Sequence, residues 1–330
     1  MPEVRYAAAI NRALADAMTA NESVVVFGED LAVPGGPFAV TRGLLAKFGA
    51  ERVRDTPISE AAIVGAAVGA ALSGLRPVVE IMFMDFLTFA MDALVNQAAK
   101  AHFMFGGQCS VPMVVRTPHG GGLNAGPQHS QCLEAWFAHV PGLKVVVPSN
   151  PADAYGLLRA AIDDPNPVVF VEHKALYASK GDLPELPEPV AIGVARIARP
   201  GRDATIVTYG ACVALALQAA QTLAAEGIEA EVIDLRSVQP WDHATVLDSV
   251  RRTRRLVVAH EAVTAFGIGA EIAAHVSEHA FRTLAAPVLR VGAEFMPVPF
   301  ARSLERKYLP DGADIAAAVR RSVQKPALLT

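Results

Sequence analysis

Short apolar runs rich in valine alternate with helix-length stretches, and this alternation constrains the fold more than any other feature of the chain. Residues 23–27, 77–82, 111–116, 143–147 and 168–171 read as buried strands, and residues 4–20, 86–104 and 151–162 between them as helices. The first helix carries Ile10, Leu14, Ala17 and Met18 on one face, and Pro151 suits a first helical turn. Strands joined through helices pair in parallel and are covered on both faces, so the class is α/β. Residues 180–203 break the pattern with Pro184, Pro187, Pro189 and Pro200 and read as a connector. The alternation then restarts, with strands at 204–209, 229–233, 255–259 and 287–291 and helices at 212–226, 242–251 and 267–281. The expected organisation is two doubly wound, mostly parallel domains, 1–180 and 204–330, joined by 181–203.

Composition narrows the function. Of 330 residues, 52% are hydrophobic, enough for two cores. A net charge of −4 with no basic block argues against nucleic acid or a membrane surface as partner. The N-terminus has no signal-peptide pattern, which predicts a cytoplasmic protein. Cys109, Cys132 and Cys212 are isolated and read as free thiols in a reducing compartment, not as a zinc site or a disulfide frame.

The stretch Asp55-Thr56-Pro57-Ile58-Ser59-Glu60 places a carboxylate at the mouth of an almost wholly apolar helix. Pro57 holds Thr56 extended, Ser59 is an N-cap, and Glu60 falls in the first turn, where the helix dipole favours negative charge. A simple capping acid is one reading. Alanine, glycine and valine on every face of residues 61–72 predict a helix buried all round and too short to cross a bilayer. Gly65 and Gly69 would let another backbone approach. An acid at the lip of such a helix is poorly solvated, which raises its pKa and suits it to proton work. Glu29 ends the strand at 23–27, where ligand crevices of open α/β sheets lie, although a surface turn is the alternative. The glycines at 120–126 follow a strand but match neither a dinucleotide nor a P-loop pattern, and read as a loop able to move. His129 at its end is an acid, base or oxyanion candidate, or a plain surface histidine. Gly-x-Ser-x-Gly is absent.

Gly28-Glu29-Asp30, the stretch 55–60, Gly74-Leu75-Arg76-Pro77, Gln128-His129-Ser130-Gln131, residues 141–146 and Asp234-Leu235-Arg236 occur together in this order. In them the chain closely resembles the beta subunit of the thiamine-diphosphate-dependent, decarboxylating first component of 2-oxo acid dehydrogenase complexes. The resemblance covers nearly the whole chain. It implies a transketolase-like pyrimidine-binding domain followed by a transketolase C-terminal domain, in an α2β2 heterotetramer that serves a lipoyl-bearing acyltransferase core. It implies that Glu60 hydrogen-bonds the cofactor's aminopyrimidine, that Phe86 stacks on that ring, and that Met82 and Ile58 line the pocket with Glu29 nearby. His129 would stabilise the reacting group and assist acyl transfer. Met113, Ala161, Ile162, Asp164 and Asn166 fall where relatives bind potassium, with a plain turn as the alternative; Pro165 departs from the Asn or Asp usual there.

The resemblance also exposes a gap. Relatives that bind the diphosphate carry Gly-Asp-Gly with a later Asn that together hold magnesium, and this sequence has no such motif. The diphosphate and magnesium half of the site is therefore expected on an alpha subunit. Within the family the first reading is a pyruvate dehydrogenase beta subunit. An acetoin dehydrogenase beta subunit is the alternative, since Met82-Phe83, Asn96-Gln97-Ala98-Ala99-Lys100 and Glu172-His173-Lys174 look similar to it. A branched-chain enzyme fits less well, because Gln usually stands where Met82 does. A non-catalytic scaffold of the complex is the reading from another class.

Overall fold

A computed structural model describes residues 3–324. The first half is built on a seven-stranded sheet. From one edge its strands are Ser237–Gln239, Lys144–Val146, Val168–His173, Val114–His119, Arg76–Glu80, Val24–Gly28 and Val53–Asp55. Neighbours run parallel except Ser237–Gln239, which comes from the second half of the chain and pairs antiparallel with Lys144–Val146.

Alternate side chains of these strands feed two cores, as a period of two dictates. Val78, Val114, Val168 and Phe170 face one side, where helices Tyr6–Ala20 and Pro151–Asp163 contribute Ile10, Leu14, Leu157 and Leu158. Val79, Val115, Val169 and Val171 face the other, with Ile63, Val64 and Val68 of helix Glu60–Leu72. That second core runs without a break into Tyr209, Leu235, Trp241 and Val246 of the second half.

The second sheet has the order Leu289–Ala293, Leu256–Val263, Ala204–Thr208, Ala230–Asp234, Arg196–Arg199, parallel except for the last strand. Helices Cys212–Ala224 and Gly312–Val323 cover one face, with His243–Thr253 and Ile268–Ala280 on the other. The last of these in sequence, Gly312–Val323, opens with a capping box between Asp311 and Asp314. Among the described residues no helix is long and apolar enough to cross a membrane.

Three local expectations need correcting. Residues 181–203 are not all connector: Lys180–Asp182 pairs with Glu3–Arg5, and Arg196–Arg199 forms the antiparallel edge of the second sheet. Prolines flank these short strands without entering them, so proline content exaggerated the gap. Residues 86–104 are helical but not one α-helix: a 3₁₀ segment Phe86–Ala90 leads through a π segment Asp92–Ala98 into Ala99–Met104. The helix Glu60–Leu72 buries Ile63, Val64, Ala67, Val68 and Ala71, while Ala61, Ala62, Gly65, Ala66 and Gly69 form an exposed stripe. Uniformly small residues leave no contrast between faces, so composition could not say which side is covered within a single chain.

Candidate active site at the carboxyl edge of the first sheet

Every sequence-predicted organic-site residue except Ile58 sits in a folded setting at the carboxyl ends of parallel strands, where such sheets open their ligand crevice. Glu29 follows Val24–Gly28, Glu60 follows Val53–Asp55, Met82 and Phe86 follow Arg76–Glu80, and His129 lies beyond Val114–His119. Gly28 is required here, because a Cβ would stand 2.6 Å from the Glu80 carbonyl oxygen. The Thr56 amide donates to the Gly28 carbonyl at 2.9 Å, and the Asp55 carboxylate accepts from the amides of Ala32 (2.6 Å) and Val33 (3.2 Å). These bonds hold the two loops that carry Glu29 and Glu60 against each other.

Ser59 flanks the helix but makes no side-chain cap bond. Its backbone amide lies near Glu29 and weakly opposes the rise in that carboxyl's pKa. Glu29 is 6% exposed, and its Oε1 has no hydrogen-bond partner. Burial pushes its carboxyl above the ordinary range, and the charges of Glu60 and Asp30 push the same way. Glu60 itself is half-buried, so the poorly solvated acid at this lip is Glu29. Ile58 is 83% exposed and lines nothing within the single chain.

Half-buried Phe86 and Met82 end the next strand's loop. Phe86 packs edge-on against His129 at 5.3 Å between ring centres, and Phe83 does the same at 4.9 Å. His129 is therefore not a free surface histidine. Its carbonyl oxygen accepts a bond from the Lys174 ammonium, which also lies over the Phe83 ring at 5.2 Å. Lys174 is buried, and desolvation pushes its pKa down.

The glycine loop is clamped as well. The amide of Gly121 donates to Glu261 Oε1 (2.6 Å), and those of Gly122 and Asn124 to the buried Glu305 carboxylate (3.0 and 3.1 Å). Gly126, at φ 75°, lies against the Phe300 ring. Farther along, Gln131 donates to Asp85 Oδ1 from its amide (3.2 Å) and its side chain (2.9 Å). The expected mobile loop is thus fastened by acids and an aromatic ring from the second half, which local composition does not reveal.

Sequence reasoning missed the ion network beneath this edge. Arg116, 1% exposed, donates from Nη1 to Glu80 Oε2 (2.6 Å) and from Nε and Nη2 to Glu172 (2.7 and 2.8 Å), and Tyr177 donates to Glu172 at 2.7 Å. The available signal was a charge at the same end of three apolar strand runs. Lys174 was visible only within a motif and carried no assigned role.

Of the five residues expected around potassium, Ile162 and Asp164 offer oxygens that here accept from cationic side chains. Arg76 Nη1 donates to the Ile162 carbonyl (2.7 Å) and the Asp164 carbonyl (3.4 Å). The Met113 carbonyl accepts from the Val168 amide at 3.0 Å. Lys144 pairs with the Asp164 carboxylate, and Asn166 donates to that carboxylate's other oxygen from its amide (2.9 Å) and side chain (3.0 Å). The Arg76 guanidinium and the Lys144 ammonium thus share the oxygens of Ile162 and Asp164.

Comparison with known proteins places this geometry. Residues 2–180 match the family "Transketolase, pyrimidine binding domain", and residues 193–315 match "Transketolase, C-terminal domain". The chain is 47% identical to the pyruvate dehydrogenase E1 component subunit beta of Rhizobium meliloti, over 94% of this chain and 68% of that protein. It is 48% identical to the acetoin:2,6-dichlorophenolindophenol oxidoreductase subunit beta of Cupriavidus necator, over 96% of both. Among solved structures, a split-gene transketolase described as an inactive beta4 tetramer superposes with a TM-score of 0.80 at 26% identity, over 96% of each chain. The chain belongs to the two-domain transketolase family, in the branch that holds the beta subunits of pyruvate dehydrogenase first components and of acetoin oxidoreductases.

Proposed function

We propose that this chain is the beta subunit of a thiamine-diphosphate-dependent pyruvate dehydrogenase first component, active only with an alpha subunit in an α2β2 assembly. The observation that carries the reading is the pair of carboxyl groups at one lip, Glu29 with an unpartnered buried oxygen and Glu60 at the mouth of an apolar helix. An orphaned buried carboxyl oxygen fits a ligand that brings ring nitrogens and an amino group. When bound, the cofactor supplies the electron sink for decarboxylating a 2-oxo acid.

The chain's own residues do the rest. Glu60 holds a proton on the pyrimidine ring nitrogen. Glu29, its carboxyl raised by burial, accepts a hydrogen bond from the ring substituents. Phe86 and Met82 supply an apolar wall that excludes water. His129, braced by two aromatic edges and by Lys174, presents its imidazole to the reacting group and to the acyl acceptor, a lipoyl arm of the acyltransferase core. Magnesium and the diphosphate belong to the alpha subunit.

Acetoin cleavage remains the second reading, supported by 48% identity to an acetoin enzyme along its full length. The carboxyl pair and the braced His129 weigh against a catalytically silent scaffold. The test is Glu60→Gln in the reconstituted pair, with pyruvate and acetoin offered in turn and an artificial electron acceptor. Loss of a proton-relay acid lowers turnover by about 10²–10⁴-fold. Loss of a mere helix-dipole acid costs about 0.3–1 kcal/mol of stability and leaves turnover intact. Near-normal turnover at saturating cofactor rejects the role of Glu60.

A further inference from the structure

A second set of chemistry-bearing side chains gathers where the two halves meet, and it includes none of the residues assigned to the cofactor. His119 ends the strand Val114–His119, Glu134 opens the short helix Glu134–Ala138, and Cys132 lies two residues before it. One ring nitrogen of His119, the Cys132 sulfur and one carboxylate oxygen of Glu134 all lie within 4.8 Å of one another. His119 and Glu134 are 2% and 1% exposed.

The Cys132 thiol donates to Glu261 Oε1, but polar atoms of His119 and Glu134 are not satisfied by the protein. Neither ring nitrogen of His119 nor Oε2 of Glu134 has a hydrogen-bond partner. The nearest approach, His119 Nδ1 to Glu134 Oε2, is 3.5 Å, beyond a good hydrogen bond. Buried nitrogen and oxygen atoms are normally paired, so convergent orphans call for a missing partner. A partner that accepts lone pairs from nitrogen, sulfur and oxygen together is a metal cation. For one pair the spacing agrees: two ligands bound at about 2.0–2.1 Å with tetrahedral geometry sit roughly 3.3 Å apart, close to the 3.5 Å between Nδ1 and Oε2, and the thiol must close in from within 4.8 Å.

The surroundings are those of a metal site. The other Glu134 oxygen accepts from the Tyr209 hydroxyl at 2.8 Å, which fixes the carboxylate and leaves Oε2 turned inward. Cys132 Sγ lies 3.8 Å from Glu261 Oε1. Cys132 and Glu261 also line a cavity of about 590 Å³ bordered by Trp136, Met296 and Tyr308, which gives an ion a way in. Tyr209 and Glu261 belong to the second half of the chain, so an ion here would tie the halves together.

We propose that His119, Cys132 and Glu134 bind one divalent ion of the zinc class, with a fourth position left to water or an exogenous ligand. Nitrogen, thiolate and carboxylate ligands in one set suit zinc and its spectroscopic substitute cobalt better than magnesium or calcium. Binding replaces the thiol proton, which leaves to solvent; no oxidation state changes. Cysteine spacing could not show the site, because one cysteine supplies it and the other ligands come from a strand end and a helix start.

The test strips the purified full-length chain with a chelator and titrates it with cobalt(II), then zinc. The expected result is one equivalent per chain with a near-ultraviolet thiolate-to-cobalt charge-transfer band, displaced by zinc. That band should vanish in Cys132→Ser and weaken at least tenfold in apparent affinity in Glu134→Gln. Zinc should raise the melting temperature of the parent chain and not that of Cys132→Ser, whose metal-free melt shows that it folds. If that variant does not fold, His119→Gln is read for the same loss. Half-exposed histidines elsewhere, His243 and His275 at 3.1 Å, could take up cobalt, but they carry no thiol and give no such band. Absence of the band, its survival in the folded Cys132→Ser chain, or a parent melt indifferent to zinc overturns the proposal and leaves water as the partner of these atoms.

Discussion

Replacing Arg116 by methionine should be among the most damaging single changes in the first domain. The guanidinium is 1% exposed and bridges Glu80 at 2.6 Å and Glu172 at 2.7 and 2.8 Å, while both carboxylates are themselves buried. Methionine fills much of the same volume, so packing loss is small. What remains is two buried carboxylates facing each other without their cation. Breaking a buried pair by removing one partner costs about 3–5 kcal/mol, and that is the expected loss near pH 8. The pH dependence separates this cause from simple misfit. Burial already raises the Glu172 pKa in the intact network, against the opposing pull of Arg116. Without Arg116 it rises further, so the folded state binds the proton more tightly than the unfolded chain does. The penalty is then absent below the unfolded carboxylate pKa and grows as pH rises through the folded one. Urea unfolding of parent and variant at several pH values should show their difference shrinking toward acid. Adding Glu80→Gln and Glu172→Gln to the methionine variant should recover most of the loss at pH 8. A loss under about 1 kcal/mol, or one independent of pH and not rescued, would refute the view of this network as a charge-compensated buried bridge.

Other expectations follow from the same geometry. Because the Glu29 carboxyl is raised by burial and by Glu60, it opposes folding once ionised, so Glu29→Gln should raise the melting temperature at neutral pH, with the gain fading below the ordinary glutamate pKa; an unchanged or lower melt at pH 8 contradicts the assignment. A Cβ on Gly69 meets nothing within 4 Å in the single chain, so Gly69→Leu should leave the isolated protein as stable or up to about 1 kcal/mol more so. If the exposed small-residue stripe packs against another subunit, the same change should weaken assembly with the alpha partner in sedimentation, and unaltered assembly argues that the stripe stays free. The chain alone should not hold thiamine diphosphate tightly, since it lacks the diphosphate and magnesium motif; stoichiometric calorimetric binding without the partner contradicts the shared site.

Elements whose signal is local were legible in the sequence. The valine runs stated their own burial, and alternation with helices stated parallel pairing, because each depends on residues within a few positions of one another. Glu29 could be placed by a simpler argument still, as a residue that follows a strand at the carboxyl edge, and His129 by the end of its loop, whereas Phe86 entered only through the family resemblance. The errors share a different physical origin. The glycine loop was read as mobile because glycine raises backbone freedom, yet Glu261 and Glu305 fasten it from more than a hundred residues away. The helix Glu60–Leu72 was read as buried all round because composition has no direction, whereas coverage depends on what lies opposite. At the residues expected around potassium, too, only the fold brings Arg76 and Lys144 onto the oxygens of Ile162 and Asp164.

The two halves of the candidate site therefore differ in what holds them. The Glu29 and Glu60 loops are fastened within the first domain, by Asp55 to the amides of Ala32 and Val33 and by Gly28 to Thr56. His129 is fastened within the first domain by Lys174, Phe83 and Phe86, whereas the glycine segment before it is fastened across to the second domain by Glu261, Glu305 and the contact with Phe300. A change in how the second half docks would thus act first on the glycine segment leading into His129, while leaving the carboxyl pair in place. In the proposed reading, binding at the carboxyl lip and group transfer at His129 would therefore draw on different fastenings. Substitutions at Glu305 should accordingly disturb turnover more than cofactor affinity, whereas those at Asp55 should disturb affinity first.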